Sequence, residues 1–149
     1  MPNQPFRLEP LLKLRRSLRD QRRRDLAQAQ EAEQLLHSQK DQLALEMNEL
    51  QIRMRQQASP GTVDVEALLA VKRHLLLLEA EGKAIDERMQ QLAAEIHRRH
   101  EALVQADRDT RVMEKLQERH HLREQETQFR QEMIQLDEIG LRCRQTEVE

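Results

Sequence analysis

The chain has little of what builds a compact core. Among its 149 residues only Phe6 and Phe129 are aromatic, with no Trp and no Tyr. Large rings supply much of the buried area of globular cores, so a compact core is not expected. Glycine and proline are scarce as well, at three and four residues. Three prolines stand at Pro2, Pro5 and Pro10 and the fourth is Pro60, which leaves long stretches with nothing to break a helix. The single cysteine, Cys143, excludes an internal disulfide and fits a reducing compartment. Apolar runs are short, as at Leu75–Leu78, against the roughly 20 residues of a membrane-spanning helix. No direct membrane insertion is expected. The opening Met-Pro-Asn-Gln-Pro lacks the apolar stretch of a secretory signal, so a cytoplasmic location is expected.

What is abundant points to helices. Charged residues make up 35% of the chain, which is rich in Leu, Ala, Gln, Glu and Arg, all strong helix formers. Such a composition with a helical period signals a coiled coil or long helices. Between Pro10 and Pro60 there is neither Gly nor Pro, and Ser59-Pro60-Gly61-Thr62 is the one clear break. The sequence therefore predicts a tail over 1–6, a helix over 7–57, a turn over 58–62, a helix over 63–143 and a tail over 144–149. Thr62 is the expected N-cap of the second helix, with Asp64 and Glu66 suiting its dipole. A short turn makes the two helices antiparallel neighbours. The expected fold is all-α: a single elongated domain in which two long helices form an antiparallel coiled-coil hairpin, the second helix being the longer.

The second helix carries a heptad pattern. Positions 68, 71, 75, 78, 82, 85, 89, 92, 96, 99, 103, 106, 110 and 113 alternate steps of three and four, and all but Gly82, Arg99 and Thr110 are apolar. Beyond Met113 that phase turns polar, and a new one appears at Leu122, Phe129, Met133 and Leu136. A seam break is expected near residues 114–122. In the first helix the best seam runs through Leu8, Leu12, Leu26, Ala29, Leu36, Leu43, Met47, Leu50 and Met54. It also holds Arg15, Arg19, Arg22, Glu33 and Lys40. Buried charges are costly unless paired, so this part is expected to pack loosely. With the fold-back at Pro60, residue 8 should lie opposite about residue 112. Residues 114–143 would then extend beyond the hairpin seam. An apolar stripe without a partner of its own usually belongs to an interaction.

Charge is uneven. From Arg7 to Arg24 eight basic residues stand against Glu9 and Asp20, a local charge of +6 in a chain of net charge −2. This run could be a solvated face, a nucleic-acid arm or a surface that docks on an acidic protein. Stacking rings are absent and leucines interrupt the run, so no nucleic acid is expected.

Certain segments resemble the FliJ family of the bacterial flagellar export apparatus. They are Phe6-Arg7-Leu8-Glu9-Pro10-Leu11-Leu12-Lys13-Leu14-Arg15 at the start, Met113-Glu114-Lys115-Leu116-Gln117-Glu118-Arg119, and Arg130-Gln131-Glu132-Met133-Ile134-Gln135-Leu136-Asp137-Glu138-Ile139 near the end. The chain departs from the family pattern where His120-His121-Leu122 stand in place of a frequent Tyr. The resemblance implies a non-enzymatic coiled-coil stalk of type III protein export. It further implies three partners: the hexameric flagellar export ATPase, the cytoplasmic domain of the export-gate membrane protein, and export chaperone complexes carrying substrates. The implied place is cytoplasmic, peripheral to the inner-membrane face at the flagellar base, and the implied process is motility.

The partner-binding residues expected on these grounds are Phe6, Leu8, Leu11, Arg15, Arg19, Arg22 and Arg23 near the start. Toward the end they are Leu116, Arg119, Leu122, Phe129, Arg130, Met133, Leu136, Asp137 and Glu138. A generic spacer or tether, and a prefoldin-like holdase, are the competing readings. The holdase would need apolar tips, which Ala58-Ser59-Pro60-Gly61-Thr62 does not offer.

Catalysis has no support. The isolated glycines form no phosphate loop, and Cys143 has no evident base or pocket beside it. Six His invite a metal reading, notably His97 with His100 and Glu118-x-x-His121. The di-iron bundle pattern needs that motif twice, and it occurs once. The histidines are therefore read as surface residues, with no metal and no cofactor expected.

Overall fold

The computed structural model describes residues 6–58, 61 and 63–146, with side chains through Arg142. The fold is all-α. Helix α1 spans Glu9–Gln57 and helix α2 spans Val65–Thr146, 49 and 82 residues long. They form the antiparallel coiled-coil hairpin expected, and the second helix is the longer.

The helix ends follow local chemistry. Asp64 caps α2: its Oδ1 accepts the backbone N–H of Glu66 at 3.1 Å and of Ala67 at 3.2 Å. A side-chain oxygen in this position satisfies two of the four otherwise orphaned amides. The cap is thus Asp64 where Thr62 was expected. Thr62 itself, like Ser59 and Pro60 of the turn, lies outside the described residues. Gly61 has φ of 154°, a value that side-chain-bearing residues rarely adopt. The tail expectations for residues 1–5 and 147–149, and the Cys143 side chain, also fall outside the described part.

Two compact units are distinguished, one of Met1–Gln21 with Val104–Glu149 and one of Arg22–Leu103. In the second, Leu26, Ala29, Leu78 and Ile85 are buried along the seam. In the first, Leu12, Ala106, Thr110 and Met113 are. All fourteen heptad positions of α2 are buried or half-buried, so the phase was read correctly. The three misfits have reasons. Gly82 leaves room for Leu43, whose Cδ2 would stand 3.4 Å from an added Cβ. Arg99 spans outward to the Asp25 carbonyl at 2.5 Å and to Glu95 at 2.7 Å. Thr110 is fully buried and donates its hydroxyl to the Ala106 carbonyl at 2.8 Å.

The register differs from the expected one. In the first unit Gln117 donates to Glu9 at 2.7 Å. In the second Lys40 pairs with Asp86 at 2.5 Å. In both pairs the α1 residue meets a position six residues later on α2 than a fold-back at Pro60 implies, between one and two helical turns. Part of the offset comes from the Asp64 cap, which starts α2 four residues past Pro60. The seam consequently reaches past Met113, because Glu114, Gln117 and His120 all contact the α1 side.

Candidate functional site

The first unit ends in a paired base and an uncovered helix. At the base, Leu12 and Thr110 have no exposed surface. Small side chains at Ala106 and Thr110 let α1 approach closely, and the Thr110 hydroxyl lies 3.3 Å from the Arg15 carbonyl. Arg15 pairs with Asp109 at 3.0 Å, and Arg16 donates to Glu114 at 3.1 Å. The Phe6 ring meets the edge of His120, with centroids 5.5 Å apart. The heptad phase thus continues through Gln117, His120 and Glu124, carried by polar contacts that a purely apolar template does not reveal.

These contacts redistribute the basic run. Arg15 is engaged across the seam, and Arg19 bonds the neighbouring Asp20 at 3.2 Å. Arg22 lies 3.9 Å from Asp25 in the second unit. Arg23 is exposed. Partly exposed ion pairs such as these contribute about 0–1 kcal/mol each, so they do not prevent the guanidinium groups from meeting another protein. Leu8 and Leu11 are exposed beside them.

Beyond Glu124 every residue through Arg142 is exposed. Leu122, Phe129, Met133, Leu136 and Ile139 stand open, and Phe129 keeps 64% of its surface. Arg119, Arg130, Asp137 and Glu138 are exposed around them, and Leu116 is 40% exposed at the start of the stretch. A five-turn helix that leaves large apolar side chains uncovered is an unusual surface and marks an interaction site.

One apolar surface was missed by reading the sequence. Near the turn, Val65, Leu69, Leu76 and Leu77 of α2 are exposed, as are Leu45 and Ile52 of α1. These leucines lie outside the fourteen seam positions, and the signal was present in the run Leu75–Leu78, which is too dense for one seam to absorb.

The second unit holds a cluster of charge. Glu95 accepts from Arg99 at 2.7 Å and from Arg98 at 2.6 Å. These hydrogen bonds, Arg99 first, hold its carboxyl below the usual range, with desolvation opposing them. Open grooves beside the seam are lined by Arg22, Asp25, Glu95, Arg98, Arg99 and Ala102, and by Gln39, Leu43, Glu46 and Ile85 among others. Of the histidines, His97 pairs with Glu101 at 3.3 Å and His121 with Gln125 at 3.0 Å. Among the described residues no three or more His, Cys, Asp or Glu gather as metal ligands do, and no helix is long and apolar enough to cross a membrane.

A family model described as Flagellar FliJ protein matches residues 4–148. No curated protein and no solved structure matches the chain significantly.

Proposed function

The chain belongs to the flagellar FliJ family, and from that premise we propose that it serves flagellar protein export as a non-enzymatic coiled-coil stalk. It binds the hexameric export ATPase, meets the cytoplasmic domain of the export gate, and assists chaperone complexes that deliver substrates. It works at the cytoplasmic face of the flagellar base. The observation that carries this reading is the continuation of α2, with Phe129, Met133 and Leu136 exposed, past the last α1 contacts. Apolar and Arg side chains grouped on one helix are the usual anchors of a protein interface. Leu116, Arg119, Leu122, Phe129, Arg130, Met133, Leu136, Asp137 and Glu138 form one arm of the docking surface. Phe6, Leu8, Leu11, Arg15, Arg19, Arg22 and Arg23 form the other. A single copy in a six-fold ring contacts only some subunits at a time, and it biases the ring if it binds their states differentially.

Co-purification with the export ATPase, with and without nucleotide, tests the proposal. Association that survives loss of both arms would overturn it. The exposed Val65, Leu69, Leu76 and Leu77 favour a second use at the turn-proximal end, where apolar stretches of cargo or its chaperones would be held. Leu69→Ser with Leu76→Ser and Leu77→Ser should then reduce cargo capture and leave ATPase association unchanged.

A further inference from the structure

The exposed far end of α2 is self-complementary as well as apolar. Each helical residue turns by about 100°, so Leu122, Phe129 and Leu136, seven apart, stand nearly in line, with Met133 beside them. That line points almost directly away from Met113, Gln117, His120 and Glu124, the positions that lie toward α1 in this unit. The hairpin's own first helix therefore does not cover it. Leu122, Phe129 and Leu136 are 52%, 64% and 62% exposed. Along one flank of the line run Arg119, Arg123, Glu126, Arg130 and Asp137.

We propose that this face pairs with the same face of a second copy, antiparallel, about a two-fold axis at Phe129. A two-fold interface is isologous, so each residue's partner is fixed by the sequence. With Phe129 on Phe129, Leu122 of each copy meets Leu136 of the other. On the flank, Glu126 falls about 3 Å in height from Arg130 of the second copy. Asp137 falls between Arg119 and Arg123 of the second copy, about 3 Å from the level of each. Opposite charges meet at each of these places, and one like pair, Arg130 with Arg130 across the axis, comes as near in height; the attractive pairs outnumber it, which is how flanking residues select register in coiled coils. A slip of one heptad in one direction sets Arg130 between Arg119 and Arg123 of the second copy. In the other direction it sets Asp137 between Glu126 and Arg130 of the second copy, so repulsion by Glu126 offsets attraction by Arg130 and the Asp137 pairing with Arg119 and Arg123 is lost. Neither slip keeps an excess of opposite pairs, so the sequence selects the register centred on Phe129.

Such a dimer covers Phe129 and Leu136, so it would keep that surface from other partners until it dissociates. The pairing itself is tested on the chain alone, without any export component, so its failure and the failure of the export proposal are separate results. Analytical ultracentrifugation of the full chain up to about 100 µM should show reversible dimers. Phe129→Glu should leave a monomer with unchanged helical dichroism. Glu126→Arg sets Arg opposite Arg130 twice per dimer and should weaken pairing about tenfold. Adding Arg130→Glu should restore it, since the swapped pair keeps the fit. A wild type that stays monomeric over this range would overturn the proposal, as would dimers indifferent to Phe129→Glu. So would a double variant no tighter than Glu126→Arg alone.

Discussion

Two stretches of α2 carry leucines at helical spacing and differ in fate. From Leu68 to Met113 the fourteen seam positions are all buried or half-buried. From Gln125 to Arg142 no residue is buried at all. Intrinsic propensity is similar in the two, since both are rich in Leu, Glu, Gln and Arg. The difference is α1, which covers the first stretch and, beginning at Glu9, does not cover the second. Helix propensity extends α2, and the partner's length alone decides which of its apolar residues become core. The paired stretch should thus answer to mutation in stability, and the uncovered stretch in association.

Removal of residues 125–149 would break this contrast most sharply. It should abolish ATPase association and motility while the hairpin melts almost as before, because the contacts of Glu114, Gln117 and His120 with the α1 side stay intact. Phe129→Ala or Leu136→Ala should act in the same direction. A cut after Met113 is a poorer test, since it would also remove those three contacts. A melting curve and a co-purification decide the matter, and a large drop in Tm after the cut at 125 would mean that the far end is structural.

The next largest effect lies in the covered stretch. Leu12 is fully buried, in the unit that also buries Ala106, Thr110 and Met113, so Leu12→Ala should cost about 2–4 kcal/mol. Leu92→Ala, at a half-buried position, should cost less. Equal losses at the two sites, measured by chemical unfolding, would show that burial does not grade the seam in this way.

The change Gly82→Ala sharpens the comparison from the other side. A glycine inside a helix costs roughly 0.8–1 kcal/mol relative to alanine. The new Cβ would meet Leu43 Cδ2 at 3.4 Å, an ordinary contact. The variant should therefore be more stable by about 0.5–1 kcal/mol. A lower Tm would mean that α1 and α2 need the missing methyl's space at that layer.

Heptad arithmetic made the helices, their pairing and the α2 phase legible in advance. It failed where polar side chains carry the seam. Gln117, His120 and Glu124 keep the phase without being apolar, so the seam appeared to stop at Met113 when it goes on to meet Glu9 and Phe6. The register was misplaced because Pro60 looked like the centre of the turn, while Asp64, four residues on, is the cap that starts α2. The docking residues could be named as exposed apolar points, but Arg15 and Arg16 could not be foreseen as partners of Asp109 and Glu114. That depends on a register six residues from the expected one.

The smallest expected effect concerns Glu95 and pH. Its carboxyl is held below the usual range by hydrogen bonds from Arg99 and then Arg98. A carboxylate whose pKa is depressed in the folded state binds fewer protons there than in the unfolded chain. Its contribution to stability is present above the unfolded pKa, about 4.3 for Glu, and is lost as pH falls through the lower folded value. Because the group is only half-buried beside an open groove, the effect should be slight, and added salt should shrink it further. Other carboxylates titrate in the same window, so the wild type alone cannot isolate it. The comparison with Glu95→Gln can, since the amide does not titrate. The two should differ in Tm at neutral pH, with the wild type higher, and the gap should close as the solution is acidified below the ordinary carboxylate range. Arg99 would still reach the Asp25 carbonyl in the variant, so helix pairing in this unit should persist. A gap that stays constant into acid would show that the two arginines hold Glu95 by geometry and not by its charge.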